Sequence, residues 1–288
     1  MKINAYAKIN WDLYITSVRP DGYHELDSVM QPISLCDTVS VELKGPDGDS
    51  ALTVDGPFSA GVPADGSNLA MKAAALYGEV LGRRIPVSIG ITKGIPNGAG
   101  LGGGSADAAA VLKAMNALNG DVLAPGRLDA LALRLGADVP FCLRTSAFRA
   151  RGIGEELEDF PMPEGAPVLV IMGRERLDTG KVYRRFDADG TACDREKIAR
   201  SRAFLQRGDY ARYAMEARNM LYPPALSLAS GLREGIDDLR DQGAVFSAMT
   251  GSGAALFGVF ALEADALKAR ERLAEKYPCC LTAHTGIL

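Results

Sequence analysis

The chain reads as an α+β protein built from two sandwich domains. Three observations carry that expectation: β-type alternation dominates the first ninety residues, helical periodicity follows a glycine-rich run after residue 97, and short strands mix with helices again beyond residue 167. At 288 residues the chain exceeds the common single-domain size. The stretch Asp159 to Pro167 carries three prolines and reads as the junction, which divides the chain into residues 1–158 and 159–288.

In the first domain, Val39, Val41 and Leu43 alternate with polar residues, and Ile85, Val87, Ile89 and Ile91 do so again. Between them Ser67 suits an N-cap for a helix that places Leu69, Ala73, Leu76, Tyr77 and Val80 on one face and ends at Gly82. After the glycines, Ala108, Val111, Leu112, Met115 and Leu118 recur at helical spacing until Asn119-Gly120 stops them. A further helix runs from about Arg127 to Leu135 and ends at Gly136, so Asp138 stands just past a helix terminus. Beyond the junction the pattern predicts a buried strand over Pro167 to Met172 and two or three amphipathic helices between Asp194 and Gln242. A strand-turn-strand around Gly251-Ser252-Gly253 follows, then a helix from about Glu263 to Lys276. Arg174 to Asp194 is polar and poor in pattern, and reads as a loop or a substrate flap.

Composition narrows the function classes. Apolar content of 47% with 24% charged residues is that of an ordinary globular protein. A formal charge of -4 argues against a nucleic-acid surface. Five cysteines, odd in number and without CxxC spacing, read as reduced thiols, with Cys142 a small core residue. The N-terminus has no apolar leader-like run and later apolar runs are short, so a cytoplasmic protein with no membrane partner is expected.

The glycine-rich run is the chemical centre of the sequence. Residues without Cβ adopt positive φ and let amides close on an anion, and the helix behind offers unpaired N–H groups. A nucleotide triphosphate is the first expectation. No lysine follows the glycines, so a P-loop is excluded. Gly98, Gly100 and Gly103 do fit G-x-G-x-x-G, but a dinucleotide fold also wants a second strand ending in an acidic residue. Asp121 stands near that distance, yet the chain runs on through Ala124-Pro125-Gly126 into another helix.

The pattern Pro96-x-x-x-Gly100-Leu101-Gly102-x-x-Ser105-Ala106 resembles the phosphate loop of the GHMP kinases, the galactose, homoserine, mevalonate and phosphomevalonate kinases. Two more segments resemble that family's other blocks: Ala5 to Asn10 followed by Asp21-Gly22-Tyr23-His24-Glu25-Leu26, and Met249 to Ala254. With Gly136-Ala137-Asp138-Val139-Pro140-Phe141, these are most similar to the members that act on a cytidine diphosphate derivative of methylerythritol.

The resemblance implies a two-domain GHMP kinase fold, each domain a mixed or antiparallel sheet packed with helices, with the active site in the cleft between them. It implies that ATP phosphorylates the C2 hydroxyl of the methylerythritol unit. Asp138 would then be the base and Lys8 the cation beside it, for a reaction that needs positioning and charge stabilisation more than covalent chemistry. Pro96, Asn97, Gly98, Ala99, Gly100, Leu101, Gly102, Gly103, Gly104, Ser105 and Ala106 would hold the triphosphate, with Asn68 and Leu69 near the nucleotide base. Asn68 reads equally as a helix-start residue. Asn10, Tyr23, His24 and Tyr183 would hold the substrate, the two tyrosines stacking on cytosine and His24 meeting its edge. No metal-ligand cluster is visible, so Mg²⁺ is expected to arrive with ATP. A monomer or weak homodimer is expected. A homoserine or mevalonate type of kinase, and an ATP-binding regulator without catalysis, are the alternatives. One departure marks this chain: Trp11-Asp12 follow Lys8-Ile9-Asn10, where an aliphatic or small pair is more usual.

Overall fold

The computed structural model describes residues 1–189 and 194–287. In chain order its elements are β1 (Lys2–Asn10), β2 (Tyr14–Val18), β3 (His24–Leu43), β4 (Ala51–Asp55), α1 (Leu69–Val80), β5 (Val87–Thr92), α2 (Gly103–Leu118), α3 (Pro125–Leu135), α4 (Val139–Cys142), β6 (Phe148–Gly152), β7 (Glu156–Asp159) and β8 (Pro167–Met172). There follow α5 (Thr179–Asp189), α6 (Arg195–Leu205), α7 (Tyr210–Glu216), α8 (Tyr222–Leu228), α9 (Gly231–Asp241), β9 (Phe246–Met249), β10 (Leu256–Val259), α10 (Glu263–Leu273) and β11 (Cys279–His284). Cys193 lies outside the described residues.

The chain forms two compact units, one of residues 1–7, 35–97 and 102–145, the other of 8–34, 98–101 and 146–288. These units interleave along the chain. The cause is that β1, β3 and the glycine loop each pass from one unit to the other.

In the first unit, β4 lies parallel to β5 with Ala51 opposite Ser88, and β5 lies antiparallel to the second half of β3 with Thr92 opposite Thr38. Val39 and Val41 with Val87, Ile89 and Ile91 bury one face, and Ala70, Ala73, Tyr77, Ala109, Leu112 and Met115 of α1 and α2 cover it. Alanine suits this place because small side chains let the two helices approach closely. Asn116 locks the end of α2: its Oδ1 accepts from Tyr77 Oη and the Leu123 amide, and its Nδ2 donates to the Leu123 carbonyl. Asp121 sits in the turn at φ 54°, its carboxylate accepting from Asn116, and α3 follows in place of a strand. A dinucleotide fold is therefore excluded.

In the second unit, β11-β8-β10-β9 form an antiparallel sheet, with Ile171 of β8 opposite both Leu256 and Cys280. The first half of β3 pairs with β2 and β6. Four helices, not two or three, fill residues 194–242. Asp209 caps one break, accepting from the Arg212 amide, and Pro223-Pro224 open the next helix. The patternless stretch after Arg174 contains α5, and a strand, β11, closes the sheet after Pro278. Among the described residues no helix is long and apolar enough to cross a membrane.

Candidate active site

Along the glycine loop Gly98, Gly100 and Gly102 take φ values of 67°, 77° and 73°. At Gly100 nothing larger fits, since a Cβ would stand 2.6 Å from the Thr250 carbonyl oxygen. Gly102 is the N-cap of α2 and brings no side-chain acceptor. The first amide to bond back along the helix is that of Ala106, to Gly102 O at 2.8 Å. The amides of Gly103, Gly104 and Ser105 and the Ser105 hydroxyl have no partner among the described residues. With no acidic residue in its first turn, this helix start favours an anion. A Cβ at Gly103 would press on Ile95 at 3.1 Å, while Gly104 faces open space.

Beneath that helix start lies a buried ion cluster that sequence reasoning missed. Lys93 donates to Asp37 and, at 2.7 Å, to Asp107 of α2. Asp37 Oδ1 also accepts the amides of Gly94 and Ile95 at 2.7 and 2.8 Å, which fixes the entry to the loop. Burial, opposed by Lys93 and reinforced by the Asp37 carboxylate, pushes Asp107 up to about 7, and its Oδ1 has no partner. Burial works against the Lys93 cation, yet Asp107 and Asp37 lift its pKa above the lysine range. The sequence signal was a single Asp in a helix otherwise lined with alanine.

Asp138, half-buried, is the N-cap residue of α4, and its side chain caps no amide there. A purely helix-capping role is thereby excluded. Asn68 replaces Ser67 as the N-cap of α1: Asn68 Oδ1 accepts from the Ala70 amide at 2.9 Å and Nδ2 donates to Pro63 O at 2.7 Å. Ser67 instead turns its hydroxyl to Asp65 at 2.6 Å. Leu69, half-buried, packs against the first unit's core.

The second unit builds its own constellation on the end of β1. Lys8, only 4% exposed, donates from Nζ to Asn10 Oδ1 at 2.6 Å, and Asn10 Nδ2 donates to Ser28 Oγ at 2.8 Å. The Asn10 amide donates to Thr250 Oγ1 at 3.0 Å and the Lys8 amide to Leu101 O at 2.9 Å, so the strand is tied to the loop residues of this unit. The turn after β9 lies close to Lys8: a Cβ at Gly251 would stand 3.4 Å from Lys8 Nζ. Asn219 holds that turn, donating to the carbonyls of Met249 and Gly251 at 2.8 and 2.9 Å.

The Trp11-Asp12 departure is explained by what lies behind Asn10. Trp11 stacks on Tyr210 at 5.3 Å and on Phe246 at 5.5 Å, and meets Phe257 edge-on. Asp12 takes the Arg202 guanidinium through both oxygens at 2.9 Å and also accepts the Val29 amide. Arg202 reaches Asp27 at 2.6 Å, and Asp27 is held from its other side by Arg149 at 2.7 and 2.9 Å. Burial opposes the Asp27 charge, but Arg149 and Arg202 together hold its carboxyl below the usual range.

Two of the expected cytosine contacts come together. The His24 ring lies 4.7 Å from that of Tyr183, and His24 Nε2 stands 2.6 Å from Asp187 Oδ1. Tyr23 is 60% exposed on the preceding turn, where its amide donates to Asp21. Lys8 and Asp138 belong to different compact units, and their joint action is part of the proposal below. Among the described residues no group of three or more His, Cys, Asp or Glu is arranged to hold a metal.

Comparison with known proteins gives the family. Residues 68–146 match the GHMP kinases N terminal domain and residues 201–279 the GHMP kinases C terminal domain. A 4-diphosphocytidyl-2-C-methyl-D-erythritol kinase of Brucella abortus is 38% identical over 281 residues, 95% of this chain and 91% of the relative. One of the same description from Paracoccus denitrificans is 37% identical over 98% of this chain and 95% of its own length. A crystal structure of 4-(cytidine 5'-diphospho)-2C-methyl-D-erythritol kinase superposes with a TM-score of 0.82 at 37% identity, covering 99% of both chains. The chain belongs to the GHMP kinases, ATP-dependent enzymes, and within them to the family of the 4-diphosphocytidyl-2-C-methyl-D-erythritol kinases.

Proposed function

We propose that this protein transfers the γ-phosphoryl group of ATP to the C2 hydroxyl of 4-diphosphocytidyl-2-C-methyl-D-erythritol, giving the 2-phosphate and ADP in the non-mevalonate isoprenoid pathway. The observation that carries the reading is the start of α2, where three amides and the Ser105 hydroxyl stand without partners behind a left-handed Gly102. Such an end fits a phosphate chain. Residues 96–106 would hold the triphosphate, with Asn68 and Leu69 toward the base. Ser105 is the residue suited to Mg²⁺ brought by ATP, and that ion would offset charge on the phosphates.

Asp138 takes the proton from the C2 hydroxyl. A carboxylate is a suitable proton acceptor here, and that of Asp138 does not cap α4. Lys8 stabilises the charge that builds on the moving phosphoryl oxygens. Its stem is fixed by burial and its ammonium by Asn10, so little reorganisation is needed as the charge develops. Asn10 orients the methylerythritol unit. Tyr23 and Tyr183 stack on cytosine, a contact worth about 1–3 kcal/mol per base. With His24 Nε2 engaged by Asp187, Nδ1 is the ring atom offered to the cytosine edge. The assignment of residues 1–158 to ATP and catalysis and of 159–288 to substrate belongs to the same reading, as do a cytoplasmic location and a monomeric or weakly dimeric state.

A substrate panel tests it. With ATP held constant, ADP release is followed with the diphosphocytidyl substrate, homoserine and mevalonate. Turnover with the first alone is expected. Phosphorylation of mevalonate alone would overturn the substrate, and ATP binding without turnover on any of the three would favour a regulator.

A further inference from the structure

The second unit contains a cavity of about 320 Å³ that the proposed phosphoryl transfer does not use. Its volume lies within the usual range for small-molecule pockets. Trp11 and Phe246 give it aromatic walls, and Ile236, Val245 and Met249 make much of the rest apolar. Planar rings pack well against such surfaces.

Three further features point to a ligand with an acid group. Ser247 lines the cavity, and its buried Oγ has no hydrogen-bond partner. Buried hydroxyls are normally paired, so this one marks the wall as incompletely satisfied. Arg218 and Arg240 also line the cavity and are exposed to solvent. Arg218 uses only Nη1, on the neighbouring Ala217 carbonyl at 2.7 Å, while Arg240 stands 3.8 Å from Asp237, so the Nε and Nη2 donors of Arg218 are left as a fork for a carboxylate or sulfonate.

The cavity also touches residues that set the turn beside Lys8. Asn219 lines it and holds the Met249 and Gly251 carbonyls, while Trp11 directly follows Asn10. We propose that this cavity is a regulatory site for a small anionic aromatic molecule, its ring against Trp11 and Phe246 and its acid group at Arg218, and that occupancy changes the kinase rate through the Asn219-held turn.

Trp11 is the one tryptophan of the chain, so it reports on its own cavity. The probe is 8-anilinonaphthalene-1-sulfonate titrated into the full chain, read by energy transfer from tryptophan and by ADP formation under turnover. Expected is one saturable site per chain that saturating ATP does not displace, with ADP formation changing at the same midpoint. Arg218→Glu, which reverses the charge, and Ala214→Phe, which fills the cavity from the exposed face of α7, should each weaken binding roughly tenfold or more while keeping the wild-type melting temperature. Displacement by ATP, an affinity unchanged in both variants, or binding without effect on ADP formation would overturn the proposal.

Discussion

Each compact unit buries an ion network next to residues proposed above for phosphoryl transfer, and the two networks are balanced differently. In the second unit two arginines, Arg202 and Arg149, meet two carboxylates, Asp12 and Asp27, in paired geometry. In the first unit a single cation, Lys93, faces Asp37 and Asp107, and one Asp107 oxygen is left without a partner. Burial, to which the Asp37 carboxylate adds and which one lysine does not offset, pushes Asp107 up to about 7, while two arginines overcome burial and hold Asp27 down. A buried charge keeps its ionisation only where a partner of opposite sign is available to it.

The difference should appear first in what happens when each cation is removed. Arg202→Met leaves Asp12 and Asp27 short of a buried partner, with Asp27 keeping only Arg149. A loss of about 3–5 kcal/mol in denaturant unfolding at pH 7 is expected. A loss below about 1 kcal/mol would mean that the second network contributes no more than a surface pair.

Lys93→Met should cost less, because Asp107 can remain protonated while Asp37 keeps its two amide donors. At pH 5 a loss of about 1–3 kcal/mol is expected, rising by pH 8. A loss independent of pH would contradict the account of the first network.

The smallest effect comes from the carboxylate itself. Folding raises the Asp107 pKa above its unfolded value, so the folded state holds this proton more tightly. The stability it contributes is full below the unfolded carboxyl pKa and is lost as pH rises through about 7. Asp27, held low, behaves in the opposite sense: its contribution is present above the ordinary carboxyl range and lost in stronger acid. Asp107→Asn should therefore change stability little at pH 5 and flatten its decline toward pH 8, as read from melting temperatures across that range. The acid limb owed to Asp27 should persist.

These networks were the least legible part of the sequence. Asp12 and Arg202 are 190 residues apart, and no local pattern announces a pair at that separation. What could be read was the departure at Trp11-Asp12, which the structure resolves into an aromatic cluster and an ion pair of this chain's own. Local chemistry was easier. Pro167–Met172 is a strand with the expected bounds, and the turn at residues 251–253 joins β9 to β10, because both rest on short-range patterns. The helix α5 escaped because Arg184, Arg185 and their polar neighbours hide the buried Val182 and Phe186. The cap lies one position beyond Ser67, since Ser67 and Asn68 are both good caps and only their local bonds to Asp65 and Pro63 separate them. For the proposed active site, the sequence offered the glycine loop, Lys8 and Asp138 as candidates. It did not reveal the ions that hold the loop and the strand in place.

In the proposed mechanism the carboxylate of Asp138 carries the proton transfer and does little for the fold. Asp138→Asn tests it most directly, with single-turnover phosphate transfer to the diphosphocytidyl substrate measured beside the melting temperature of the same preparation. The account predicts a rate lower by about 10²–10⁴ at a nearly unchanged melting temperature. A variant that transfers phosphate at the wild-type rate would contradict it.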